Sequence, residues 1–272
     1  MAADPALAAV KTSRYLRVGL VALVLLLFSG VAREWAVSGC LQPSISAYVH
    51  TPAQPVLVGS LVGIGVALLA LQGSTEVEGL LLNVAGMLAP GVAFIPTTTR
   101  GECLPSAAVG DPSATVSTSM PALFVAGAAV GVFAAVLAVR ERRPRGVPRA
   151  DRVGLVGTAA LLGAGAVWFA LDRDSFLAHA HGVAAVPMFL AVIAVVWLNA
   201  REAAGERRRR YVAVYRTIAV AMLGALALAV VVDLATAAST VVLWVEVVLI
   251  LLFGVFWVVQ TVELWSRGLR RS

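Results

Sequence analysis

The chain has 272 residues, of which 60% are apolar and only 13% charged, and its mean hydropathy is +0.91. So little polar surface cannot enclose a water-soluble core of this size. Its 21 basic residues outnumber 15 acidic ones for a net charge of +6, but they sit in short stretches between apolar runs, where insertion topology accounts for them, so no nucleic-acid partner is expected.

The apolar runs predict an all-α integral membrane bundle of eight transmembrane helices, forming a single domain over residues 1–272. Lys11, Arg14 and Arg17 precede the first span, Val18–Val37. Val37-Ser38-Gly39-Cys40 has the look of a lipoprotein cleavage box. Arg33 and Glu34 interrupt the approach to Cys40, so the segment reads as an uncleaved anchor. The spans Val56–Leu71 and Gly79–Ile95 are joined without any Lys or Arg. Pro96–Met120, rich in Thr, Ser, Gly, Pro and Ala, reads as an irregular loop. Then come Pro121–Val139, a cluster of Arg140, Arg142, Arg143, Arg145, Arg149 and Arg152, and the spans Val153–Leu171 and Leu177–Leu198. Arg201, Arg207, Arg208, Arg209, Arg210 and Arg216 lead into Val212–Val232, and Val241–Val262 precedes Arg267, Arg270 and Arg271.

Only Arg33, Arg100 and Arg173 fall in the alternate gaps. The positive-inside rule then places both termini in the cytoplasm of a multi-pass cell-membrane protein, with the arginine-rich turns against anionic lipid. An odd number of spans would break this alternation. Membrane lipid is the one partner implied; nothing specifies a protein partner or a cofactor.

The same topology places Cys40 and Cys103 together on the outer side, where a disulfide is chemically permitted. It would close a loop of some 60 residues, for roughly 3–4 kcal/mol in the chain-entropy model. Two unrelated thiols are the alternative.

Ionisable groups at membrane depth are costly and need a partner or a purpose. Glu246 lies about 9 Å into the last span at 1.5 Å per residue, so it is protonated, hydrogen-bonded or facing a wet cavity. His50, His179 and His181 all fall on the outer side, with Asp172, Asp174 and Asp233. Three histidines beside carboxylates are weak candidates for a metal site. His179 and His181, however, are two apart and diverge in a regular helix. A hydrogen-bond network around Glu246, with Ser46, Tyr48 or a histidine, is the simpler expectation. Asn83 stands apart, about one turn inside the arginine-side end of the third span. Small-residue spacings, Gly59/Gly63, Gly127/Gly131 and Gly154/Gly157/Gly163/Gly165, allow close helix packing. Pro90 and Pro187 interrupt two spans.

The run Pro43-Ser44-Ile45-Ser46-Ala47-Tyr48-Val49-His50-Thr51-Pro52 resembles a signature of uncharacterised bacterial multi-span proteins, which carry Ser-x-Ser-x-Tyr-Tyr-Tyr-Thr before a span. The likeness continues at Asn83-Val84-Ala85-Gly86, His181-Gly182-Val183-Ala184-Ala185, Tyr215-Arg216 and Trp244-Val245-Glu246, and covers about half the chain. It implies that Ser44, Ser46, Tyr48, His181 and Glu246 share one site, but it brings no assigned activity; the candidate ligand-binding set also takes in His50, which the resemblance does not supply. Val49 and His50 replace two of its tyrosines, and spans four and five look like additions to a six-span plan. A more distant likeness is to ceramidase and adiponectin-receptor-type membrane hydrolases. Their His-x-x-x-His pair is missing here.

Three functions follow as expectations. The first is a non-enzymatic membrane protein with an outward polar pocket for a lipid or small ligand. The second is a metal-dependent hydrolase acting on a lipid, and the third an ion- or proton-coupled transporter.

Overall fold

A computed structural model describes residues 5–97, 112–140, 149–235 and 240–265. These residues form eight α-helices and no strand. They are α1 (Pro5–Ser38), α2 (Gln54–Ala70), α3 (Glu76–Phe94), α4 (Pro112–Arg140), α5 (Arg149–Leu171), α6 (Arg173–Gly205), α7 (Arg209–Ala235) and α8 (Thr240–Glu263). A 3₁₀ turn, Ser46–His50, lies between α1 and α2. Seven of the eight are long and apolar enough to cross a membrane, the mark of a multi-pass membrane protein. The exception is α2, with 17 residues.

Local chemistry sets the helix ends. Gly39 leaves α1 in the left-handed region at φ 69°, its N–H returning to Trp35 O at 2.9 Å. The Thr75 hydroxyl accepts the Glu78 N–H at the start of α3. Asp172 does the same for Ser175 at the start of α6.

One expected boundary is wrong. Pro96–Met120 is not irregular throughout, because α4 begins at Pro112 rather than Pro121. The polar Thr and Ser residues fit a helix because Thr118 and Ser119 donate their hydroxyls back to the carbonyls of Ala114 and Thr115. Val116 and Met120, one turn apart, bury against Ile95, Phe176 and Ala180. Helices α1 and α6 also run well past their expected spans, to 34 and 33 residues.

Neighbouring helices pack in the order α1, α2, α3, α6, α7, α8 and back to α1, a closed ring of six. The α4–α5 hairpin leans on the outside of this ring, chiefly on α3. Nothing in the apolar windows of α4 and α5 is buried, whereas the main core cluster draws on all six ring helices.

Main chain meets main chain where α2 crosses α3. A Cβ on Gly86 would stand 2.8 Å from the Gly65 carbonyl oxygen, and one on Gly65 would stand 2.8 Å from the Gly86 oxygen. Only glycine allows main chains to approach this closely. The spacings singled out from sequence are less discriminating. Gly59, Gly131, Gly157 and Gly163 face open space, while Gly63 and Gly127 meet Leu23 and Leu162. Gly86→Ala is therefore expected to cost about 1–3 kcal/mol by overpacking, read as a lower unfolding midpoint in detergent. Gly131→Ala, with nothing within 4 Å, should leave that midpoint unchanged.

Candidate functional site

Hydrogen bonds sort the polar residues to the two ends of the ring. At the arginine-poor end, the segment after α1 folds over the bundle as the 3₁₀ turn. Ser44, itself buried, accepts the Ala47 N–H on its hydroxyl at 3.0 Å and starts that turn. The Ile45 N–H donates to Glu246 Oε2 at 2.5 Å. This main-chain bond is the partner that a carboxylate at membrane depth requires. The expected network around Glu246, with Ser46, Tyr48 or a histidine as partner, did not include this main-chain donor.

Beneath the turn lies a cavity of about 80 Å³. Its polar lining is Ser46, His181 and Glu246. Its walls run inward between α2, α6 and α8 through Leu61, Ile64, Leu68, Val192 and Phe253. The volume suits a few waters or a small organic group; a larger ligand requires movement of Met188 or Phe189, which also line it. His181 Nδ1 lies 2.7 Å from the Ile95 carbonyl. A carbonyl can only accept, so Nδ1 carries a proton. Among the described residues the Ser46 hydroxyl has no protein partner.

The other expected site residues lie around the cavity rather than in it. Tyr48 is fully buried with Leu27, Leu57 and Leu243 and helps hold the turn down. Burial, reinforced by the Glu34 charge, pushes its phenol above the usual range, so it stays protonated. His50 turns to the Thr97 carbonyl at 3.1 Å and lines a smaller cleft with Gln54 and Phe94. His179 is exposed and lies 3.0 Å from the Ser175 carbonyl one turn back. The three histidines thus bond to three different carbonyls, and among the described residues no three His, Cys, Asp or Glu side chains converge as a metal site. Cys103 and the Asp233 side chain lie outside the described residues.

Sequence reasoning missed the polar cluster at the arginine-rich end. Glu78, which reads as a loop residue, is buried in the first turn of α3. Its Oε2 accepts the Ser74 N–H at 2.6 Å, and its Oε1 accepts from Asn199 Nδ2 at 2.7 Å. Asn199 Oδ1 in turn accepts from Gln260 Nε2 at 2.9 Å. Alongside, Glu263 Oε2 accepts the Tyr215 hydroxyl proton at 2.6 Å, and Arg208 approaches Oε1 at 3.8 Å. Arg14 stacks over the Trp265 ring at 5.0 Å. Gln260 was visible as an amide inside an apolar run; Glu78 and Asn199 sat just beyond the expected spans.

The chain matches no protein-family model, no curated protein and no solved structure. The functional reading therefore rests on geometry. One consequence of that geometry concerns stability. Asn199→Leu strands the Glu78 carboxylate and the Gln260 amide away from water, at about 1–3 kcal/mol for each unsatisfied group. A denaturant titration in detergent should show that loss, and an unchanged midpoint would mean that water already satisfies both groups.

Proposed function

We propose that this chain is a multi-pass cell-membrane protein whose outward-facing pocket holds a small amphiphile or the head of a lipid. The observation that carries this reading is the convergence of Ser46, His181 and Glu246 on one cavity with apolar walls. The Ser-x-Ser-x-Tyr resemblance supports it, since three of the residues which that likeness groups come together there. Glu246 supplies a carboxylate, His181 an imidazole and Ser46 a hydroxyl. That set favours a cationic or proton-donating head over an anionic one. The metal-dependent hydrolase gains no support from the described histidines.

Matched eight-carbon probes test this. Octylamine should bind the purified protein and raise its unfolding midpoint, while octanoate should not. Leu61→Trp, which fills the cavity, should abolish the shift. Glu246→Gln, which keeps an acceptor for Ile45 but removes the charge, should weaken octylamine about tenfold, or 1.4 kcal/mol. Octanoate binding as well as octylamine, or undiminished binding in Leu61→Trp, would sink the reading.

Both termini are cytoplasmic in this proposal, and a Cys40–Cys103 disulfide faces outward. The positive-inside distribution of arginine supports the orientation. In intact cells, a reagent that cannot pass the bilayer should label both thiols only after reduction. Labelling that requires broken cells would reverse the orientation. Labelling without reduction would remove the disulfide.

A further inference from the structure

The cavity under the 3₁₀ turn has a shape as well as a chemistry. Its lining on α2 is Leu57, Leu61, Ile64 and Leu68, and on α8 it is Glu246, Ile250 and Phe253. Steps of three and four residues keep each set on one face of its helix. A third stripe, on α6, runs from His181 to Val192. At 1.5 Å per residue the stripes on α2 and α6 are each about 16 Å long. A volume of about 80 Å³ drawn out along such stripes is a narrow bore rather than a chamber.

Polarity is graded along that bore. His181 and Glu246 begin their stripes at the arginine-poor end, and Ser46 lies in the turn that covers it. The deeper lining is apolar, down to Leu68, Val192 and Phe253. There the bore ends. One turn further in, Val195 and Val196 of α6 and Phe256 and Trp257 of α8 are buried without joining the lining. Beyond them Gln260 of α8 is bonded to Asn199 of α6 at 2.9 Å.

We propose that the occupant is a single unbranched alkyl chain with a proton-donating head, and that Leu68, Val192 and Phe253 form the floor that sets its length. This rests on the pocket reading above and narrows it. The head lies under the turn beside Glu246, and the tail runs toward the middle of the membrane. The reverse placement would press a polar head among leucines, which is costly. A two-chain lipid fits neither way, because the bore takes one chain. From Glu246 to Phe253 is about 10 Å along α8. An extended chain advances about 1.2 Å per bond, a third of the rise of a fully extended residue, so the bore holds about eight carbons. Met188, unbranched and soft, adapts the wall to the chain.

The test titrates straight-chain alkylamines, from butylamine to dodecylamine, into the purified full-length protein, with free amine measured by equilibrium dialysis. Affinity should rise about fourfold (0.8 kcal/mol) for each methylene buried. The rise should stop near octylamine. The branched isomer 2-ethylhexylamine should bind about tenfold more weakly than octylamine. Val192→Phe raises the floor and should lower octylamine affinity about tenfold relative to butylamine. Phe253→Ala deepens the bore and should raise dodecylamine affinity by a similar factor. Should Phe253→Ala fail to fold, Val192→Phe still reads the floor. Three results would each overturn the chain proposal and leave the pocket reading standing: affinity that climbs unbroken to dodecylamine, equal binding of the two isomers, or an unchanged octylamine-to-butylamine ratio in folded Val192→Phe. No binding of octylamine at all would overturn both.

Discussion

The fold depends first on how carboxylates are satisfied where water is scarce. Glu78 is buried in a ring of apolar helices, and removing its partners would leave an uncompensated acceptor at a cost of several kcal/mol. Its two oxygens are taken by a main-chain N–H from the preceding turn and by Asn199. Asn199 spends both amide and carbonyl, since Gln260 donates to it and it also reaches the Val195 carbonyl. Three helices distant in sequence, α3, α6 and α8, are thereby held in one register. Apolar packing alone would tolerate small slides between smooth Leu, Val and Ala faces, but a hydrogen-bonded chain of side chains does not.

The opposite end solves the same problem with different parts. Glu246, near the start of α8, also takes a main-chain N–H, in this case from Ile45. The donor belongs to the segment after α1, so the bond draws a non-helical stretch onto the bundle. Backbone that is not helical is tolerated at such a position only where its polar groups are met by protein or open to water. The 3₁₀ turn, the Ser44 hydroxyl and the carboxylate meet that condition, and the buried Tyr48 ring holds the turn from below. The cavity follows from this: a short turn braced by polar contacts covers the ring without filling it.

Much of this was legible in the chain. Apolar run length gave the helical class and the approximate place of every helix, because a membrane span carries its own signal in about 20 residues. The resemblance grouped Ser46, His181 and Glu246, and these do line one cavity. Three things were hidden. Hydroxyl residues at 115–119 look like loop until their side chains are seen to bond within the helix. Contacts across the ring, such as Glu78 with Asn199 at 121 residues' separation, leave no periodic trace. Helix-contact glycines cannot be told from idle ones by spacing, because the partner surface decides. Gly65 and Gly86 matter because each faces the other, not because of a neighbour four residues away.

Helix α2 also borders both the cavity under the turn and the open space between the ring and the α4–α5 hairpin. Leu68 lines the cavity and Leu69 lines the open space, so consecutive residues of α2 face opposite compartments. In the α2–α3 helix pair Gly65 and Gly86 bring main chain against main chain. Close-packed backbone transmits a shift rather than absorbing it, since no side chain is present to change rotamer. A change in the position of α2 is therefore felt on both sides at once. The α4–α5 hairpin lies outside the closed ring and forms one wall of the open space alone.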